Sequence, residues 1–276
     1  MAAANTPNPA PDQVPPAQIE AKAETIAVGK AQMALRQLIP LAIAAGFFIG
    51  LGGLYFTLFM SDAAMGFAAS RFAGGVVFSL GLALVVICGA ELFTGNALMV
   101  AAALSRKITG GQMLANWFWV WVFNFVGALI LVFLVYFANA QSLGNLGTAM
   151  MRIAVGKMTQ PWVTLFFKGI LCNVLVCLGV WVAFASRTVV DKAVGVILPV
   201  SAFVALGFEH CVANMYFLPM GLVLALTGFP VPQGVDASVF TLGSMLFNLS
   251  AVTLGNIAGG AMIGIVYWFA FGRKAG

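Results

Sequence analysis

A glutamate and the chain's one histidine stand side by side in a stretch that is otherwise apolar. Glu209 and His210 lie within Gly207–Asn214, where phenylalanine, cysteine, valine and alanine surround them. An ionisable side chain inside a membrane-spanning segment is costly unless it faces protein or water, so it indicates a functional site. Imidazole titrates near neutral pH, and its ring N–H can donate to an anion. The pair therefore predicts a site that handles a small anion or a proton, with His210 at its centre.

The same pattern occurs earlier in the chain, at Glu91. Glu91 and Asn96 follow a glycine at the same offsets as Glu209 and Asn214. A second set of positions recurs with equal spacing: Asn116, Asn124 and Gly127 match Asn248, Asn256 and Gly259. The repeat predicts two half-chains of one design whose motifs meet at the site. The two glutamates either bind a proton or cation there, or accept hydrogen bonds and so brace the chain.

Composition places these motifs in a membrane protein. Hydrophobic residues make up 62% of the chain and charged residues only 8%, whereas about a quarter of the residues of soluble domains are charged. The net charge of +5 does not indicate a nucleic-acid partner, because the basic residues lie in short loops between apolar spans. The cysteines are interpreted as small buried hydrophobes, and their spacing fits neither a metal site nor a disulfide framework.

The apolar residues form six spans, with the motifs inside the second and the fifth. The spans cover residues 38–59, 72–104, 112–138, 162–185, 192–227 and 240–271. A straight helix crosses the hydrocarbon with about 20 residues, so the second and fifth spans are too long for one unbroken crossing. A break in each, buried in protein or lining a cavity, lets two half-helices share a crossing. Thr94–Gly95 and the region of Gly207 supply the small, flexible residues that such breaks require. We therefore predict an all-α membrane protein in which helices 2 and 5 are broken.

The loops predict the orientation of the chain. With the N-terminus inside, nine basic residues are cytoplasmic: Lys22, Lys30, Arg36, Arg106, Lys107, Arg187, Lys192, Arg273 and Lys274. The opposite side carries three: Arg71, Arg152 and Lys157. This bias puts both termini in the cytoplasm. Because each half has three spans, the second half is inverted relative to the first. Lys168, inside the fourth span, either snorkels to the surface or pairs internally.

Two segments precede the spans. Residues 1–18 are rich in alanine and proline and predict a disordered tail. Residues 19–37 alternate apolar and charged side chains at helical spacing and predict an amphipathic helix, either on the membrane surface or solvated. The channel domain is then residues 38–271, with half repeats at about 38–138 and 162–271.

The chain lacks the recognisable motifs of two other classes of protein. The chain has one histidine, no GxSxG elbow, no phosphate-binding glycine loop and no Cys/His cluster, so no enzyme constellation is present. Water and glycerol channels share the predicted architecture, but their paired Asn-Pro-Ala signature is missing, since the one Asn-Pro lies in the tail at Asn8.

The motifs resemble those of the formate/nitrite transporter family. The matching segments are Phe78–Leu82, Glu91–Asn96, Phe167–Asn173, Gly207–Met215 and Val252–Asn256, and the likeness extends over about residues 30 to 271. The resemblance implies an aquaporin-like protomer in a homopentamer, with one anion pore per protomer and no cofactor. Small-residue faces such as that of Gly46, Gly50 and Gly53 would permit the close helix contacts of such an assembly.

The resemblance also assigns roles to single residues. His210 would be the central pore histidine, and Thr94, on the loop that breaks the second helix, its hydrogen-bonding partner. Lys157, in an outer loop, would be the residue that attracts the anion. Asn173 would help to position the substrate. The remaining assignments are constrictions at Phe78, Leu82 and Phe203 on the outer side, at Leu92 and Phe93 on the inner side, and a link from Glu209 through Lys30 to the N-terminal helix. From the sequence itself, Asn173 and Asn256 are interpreted first as interhelical hydrogen bonders.

Substrate choice rests on two motifs that point in different directions. Asn214–Pro219 resembles the formate-transporting branch of the family, whereas Glu91–Gly95 is close to the nitrite branch. The prediction is a formate channel of the inner membrane. Formate passes His210 at a rate that depends on pH, either as the anion alone or coupled to a proton. Nitrite or hydrosulfide is the alternative substrate, and a membrane-embedded enzyme or receptor is the alternative of a different class.

Overall fold

The computed structural model describes residues 14–272, which form helices and contain no β-strand. Five helices are long and apolar enough to span a membrane. They are α2 (Leu35–Met60), α3 (Phe67–Cys88), α5 (Gly110–Phe137), α7 (Trp162–Ala185) and α10 (Leu242–Tyr267). Shorter helices complete the fold: α1 (Pro16–Ala31), α4 (Phe93–Leu104), α6 (Leu146–Met158), α8 (Val189–Ala205) and α9 (Cys211–Leu226), with short turns of 3-10 helix at Ala140–Ser142 and Ala237–Val239.

The second break falls where the sequence predicts it, at Gly207. The first was expected at Thr94–Gly95 and lies earlier, because both of these residues are inside α4. Helix α3 ends at Gly89 and α8 ends just before Gly207, and each of these glycines has a left-handed backbone, with φ of 72° and 69°. Residues other than glycine rarely adopt this backbone conformation. The chain then continues into α4 and α9, so each long predicted span consists of two helices joined by a short irregular segment.

Helix α6 was not predicted. Its residues were expected to form an outer loop, but they form a helix whose buried face includes Leu146, Met150 and Ala154. That face packs mainly against α9 and α2. Lys157 therefore lies in the last turn of a helix and not in a loop, so its predicted location was wrong.

Helix α1 packs on the protein instead of standing apart from it. Ile19, Ala23 and Ala27 form its buried face, and the ammonium of Lys22 donates to the carbonyl of Phe184 at 2.7 Å. The helix begins at Pro16, so the end of the predicted tail is helical, and it ends at Ala31, short of the predicted residue 37. Residues 1–13 of that tail lie outside the described residues.

The small residues of α2 face the inside of the protomer. A Cβ atom at Gly46 would overlap the backbone of Asn124, one at Gly50 would press on Leu131, and one at Gly53 would contact Phe217. These glycines permit close packing of α2 against α5 and α9. They therefore give no support to contacts between protomers, contrary to the prediction.

Candidate functional site

His210 is the residue that begins α9, at the end of the second break. Its Nδ1 accepts the backbone N–H of Ala213 at 3.1 Å, so the imidazole caps the helix. A nitrogen that accepts a hydrogen bond carries no proton, and a neutral imidazole then carries its proton on Nε2. The break thus orients His210 with one N–H available as a donor.

The partner of that N–H is Thr94, in the first turn of α4. Thr94 Oγ1 lies 3.1 Å from His210 Nε2. Thr94 is fully buried and His210 nearly so. The two motifs of the repeat, far apart in the chain, therefore meet at one hydrogen bond, as the repeat predicts.

Asn173, on α7, holds the backbone next to this hydrogen bond. Its Nδ2 donates to the carbonyl of Thr94 at 3.1 Å and to the carbonyl of Asn256 at 2.6 Å. Its Oδ1 has no hydrogen-bond partner among the described residues. The amide nitrogen therefore connects the Thr94 segment to α10, and the amide oxygen remains free to accept a hydrogen bond.

A network of five side chains braces the first break. Lys30 Nζ lies 2.5 Å from Glu91 Oε1, and Asn96 Nδ2 donates to Glu91 Oε2 at 2.9 Å. Asn96 also donates to Asn116 Oδ1, whose own amide donates to the backbone carbonyl of Lys30. Asn124 donates to the carbonyl of Glu91 and accepts the first N–H of α4. The network joins α1, the break, α4 and α5.

The second break has a matching network, in which each residue has a counterpart in the first. Lys157 Nζ lies 3.0 Å from both carboxylate oxygens of Glu209, and Asn214 donates to Glu209 Oε2 at 2.7 Å. Asn214 also donates to Asn248 Oδ1, whose amide donates to the carbonyl of Lys157. Asn256 donates to the carbonyl of Glu209 and accepts the first N–H of α9.

These contacts favour the structural interpretation of the two glutamates. Each carboxylate is almost fully buried and is neutralised by a lysine, and a buried carboxylate needs such partners. The predicted link from Glu209 to Lys30 was wrong, because Lys30 binds Glu91 and Glu209 binds Lys157. Asn256 is a bracing residue of the second break, as the sequence suggested.

Two cavities approach the hydrogen bond between Thr94 and His210 from opposite sides. The α1-side cavity, of about 730 Å³, is lined by residues that include Lys30, Glu91 and Leu92. The α6-side cavity, of about 410 Å³, is lined by residues that include His210 and Phe203. The two share no lining residue, and buried Thr94 lies in neither lining. A solute that passed from one cavity to the other would have to pass the buried hydrogen bond between Thr94 and His210.

The predicted constriction residues divide between the two cavities and the core. Phe78 and Phe203 line the α6-side cavity, their rings meeting edge to face with centroids 5.8 Å apart. Phe203 also stacks on the imidazole of His210 at 5.9 Å. Leu92 lines the α1-side cavity, whereas Leu82 and Phe93 are buried and line neither. Apolar walls therefore adjoin the polar pair on both sides.

The sequence contains a signal for the two lysine positions that its analysis missed. The pentapeptide Ile-Ala-Val-Gly-Lys occurs at residues 26–30 in α1 and again at residues 153–157 in α6. It ends in each case on the lysine that neutralises a buried glutamate. The repeat therefore begins earlier in each half than the apolar spans indicate.

The described residues contain no group of three or more histidine, cysteine, aspartate or glutamate side chains that could hold a metal ion. Three of the four cysteines are buried as small side chains, and Cys88 is exposed. The polar atoms that remain at the centre are hydrogen-bond donors and acceptors, suited to a passing solute.

Comparison with known proteins agrees with this arrangement. Residues 17–269 match the formate/nitrite transporter family. The chain is 39% identical to the formate channel FocA of Escherichia coli strain K12 over 274 residues, which cover 95% of this chain and 96% of that protein.

Two solved structures share the fold. One, described as an FNT family ion channel, has a TM-score of 0.80 at 29% identity and covers 92% of this chain and 98% of its own. The other, described as a pentameric formate channel with formate bound, has a TM-score of 0.74 at 33% identity and covers 91% and 99%. These relatives are named as channels and not as enzymes. The chain is a multi-pass membrane protein and belongs to the formate/nitrite transporter family.

Proposed function

We propose that this chain forms a pore for small monovalent weak-acid anions, with formate as the principal substrate. The observation that carries the proposal is the Nε2 of His210 facing the Thr94 hydroxyl between two separate cavities. A related channel is named for formate, and a related structure is described as containing it.

The two side chains supply what an anion loses when it leaves water. A small anion between apolar walls pays a large desolvation cost unless donors meet it. His210 Nε2–H and the Thr94 hydroxyl are two such donors, and an anion that inserts between them exchanges their mutual hydrogen bond for one from each. Glu91 and Glu209 do not oppose its passage by charge, because a lysine neutralises each of them.

The state of the imidazole decides between two modes of passage. A proton relay needs a cationic His210, in which Nδ1–H would point at the N–H of Ala213 and the cap would be lost. The geometry therefore favours a neutral His210 that selects the anion by hydrogen bonding. Passage then depends on pH because protonation of the ring breaks the contact that orients it.

The proposed architecture is six crossings in an inverted three-plus-three repeat, assembled as a homopentamer. The matching networks at the two breaks support the repeat, and the related structure described as pentameric supports the assembly. The excess of basic residues on the α1 side supports an inner-membrane protein with both termini in the cytoplasm. The α1-side cavity is then the cytoplasmic one.

Uptake by vesicles that contain only this protein tests the proposal. We expect formate to enter faster than nitrite or hydrosulfide, and each to enter faster than into vesicles without the protein. Faster nitrite uptake would establish the alternative substrate, which the Glu91–Gly95 motif favours. Uptake of all three no faster than in protein-free vesicles would refute the channel and leave the membrane-embedded enzyme or receptor.

His210→Asn tests whether His210 governs passage in either mode. Asparagine is a good helix-capping residue, so α9 should still begin at this position. The variant cannot titrate, so we expect slower anion passage that no longer depends on pH between about 5 and 8. A variant with wild-type pH dependence and wild-type proton movement would show that His210 governs neither.

A further inference from the structure

The α6-side cavity is lined by four cations, and only one of them has a carboxylate partner. Lys157 shares the two oxygens of Glu209, and its side chain is only 15% exposed. Arg71, Arg152 and Lys168 line the same cavity. In residues 14–272, none of these three forms a salt bridge.

The contacts of the three cations leave their charges uncompensated. Lys168 Nζ donates to the neutral amide oxygen of Gln160 at 2.6 Å. The guanidinium of Arg71 lies 5.7 Å from the ring centroid of Phe67, and one of its nitrogens lies 3.7 Å from where a Cβ atom on Gly207, beside the break, would be. Arg152 is exposed on α6, one turn before Lys157. The cavity that leads to His210 therefore carries a net charge of about three positive units.

We propose that Arg71, Arg152 and Lys168 together form the site that collects anions in the α6-side cavity, in place of Lys157. The inference rests on the proposed function, because it names the residues that deliver the anion to the polar pair. The ligand class is a small monovalent anion that keeps part of its hydration shell.

The physical reason is the focusing of charge by apolar walls. Phe203, Phe208 and Phe217 line the same cavity as the three cations, and low-dielectric walls concentrate the field of charges at a cleft. Lys157 adds little to that field, since Glu209 cancels its charge at contact distance. A cation that lacks a partner acts on an anion over about one Debye length, which is about 10 Å at 0.1 M salt.

Neutralising the three cations tests the inference. The variant carries Arg71→Gln, Arg152→Gln and Lys168→Gln, and the control carries Arg36→Gln, Arg106→Gln and Arg187→Gln, three exposed positions outside the lining of the α6-side cavity. Formate uptake is measured below saturation in vesicles oriented with the α6 side toward the bath. We expect the variant to be slower by roughly tenfold at low ionic strength and by less than about twofold near 0.5 M salt.

The control variant should take up formate from that side at the wild-type rate at both ionic strengths. Each of the three single substitutions should lower uptake by roughly twofold at low salt. An equal loss at low and high salt, or no loss in the triple variant, would overturn the inference.

A binding measurement separates this inference from the proposed function. Chloride serves as the probe, and the broadening of its NMR line by the detergent-solubilised protein reports anion binding without transport. We expect the triple variant to broaden the line less than the wild type and the control do. If the wild type carries no formate but this difference remains, the proposed function fails and the collecting site stands. If all three proteins broaden the line equally, the collecting site is wrong.

Discussion

Replacing Lys157 by glutamine should destabilise the protein and not merely weaken its attraction for anions. Lys157 and Glu209 form a salt bridge in which the glutamate side chain is 3% exposed. Removing one partner of a buried pair leaves an uncompensated charge and costs about 3–5 kcal/mol. The loss should be close to this range, because Asn214 is the other side chain that donates to that carboxylate among the described residues.

A double-mutant cycle measures the pair. The free energy of unfolding is obtained by denaturant titration in detergent micelles, followed by tryptophan fluorescence, for Lys157→Gln, Glu209→Gln and both together. The double variant should regain about 2 kcal/mol of the summed single losses, because no lone charge remains buried. Lys168→Gln is the matched control, since its ammonium binds a neutral amide, and it should change stability by less than about 1 kcal/mol.

The refuting result is specific. If Lys157→Gln unfolds like the wild type and loses anion uptake mainly at low ionic strength, then Lys157 is a steering cation and the salt bridge does not hold it. The ordering of the network around Glu209 would in that case be unimportant for the fold.

Three further results are expected. Gly127→Ala should destabilise the protein by about 1–3 kcal/mol, because its Cβ would overlap the backbone of α2, whereas Gly156→Ala, with open space around it, should not. Burial and a nearby carboxylate raise the pKa of Glu20 from 4.5 to about 7. The docking of α1 should therefore be strongest below pH 4.5 and weaken as the pH rises through 7. Hydrogen exchange in α1 should show this pH dependence, and Glu20→Gln should abolish the pH dependence. Asn173→Ala should cost about 1–3 kcal/mol, since it removes the donor to the carbonyl of Thr94, and an unchanged denaturation midpoint would contradict that role.

The presence of a break in helices 2 and 5 could be predicted from the sequence because its determinants are local, although the first break begins at Gly89 and not at Thr94–Gly95. A glycine two residues before each glutamate can adopt the left-handed backbone that ends a helix, and the observed φ angles of Gly89 and Gly207 have this sign. The length of the apolar span supplied the second constraint, since one crossing cannot hold it. Both constraints are properties of the chain itself, so they needed no knowledge of packing.

The pairing of charges could not be predicted in the same way. Which lysine meets which glutamate depends on where α1 and α6 lie against the breaks, and the apolar pattern places neither helix. Lys30 was accordingly assigned to the wrong glutamate. The hydrogen bond between Thr94 and His210 was predicted from the resemblance and the repeat. Its direction could not be predicted, because it depends on the hydrogen bond from the Ala213 N–H to His210 Nδ1, which only the structure shows.

Lys30 makes α1 an integral member of the first half of the molecule. The same residue neutralises Glu91 with its side chain and accepts the amide of Asn116 with its backbone. A chain shortened to begin at Leu35 would lose both contacts at once. The carboxylate of Glu91, which lines the α1-side cavity, would lose its lysine, and the amide of Asn116 would lose this acceptor. Helix α1 supplies the lysine of the first break as α6 supplies that of the second. Shortening the chain before α2 therefore removes part of the first network and not merely a surface helix.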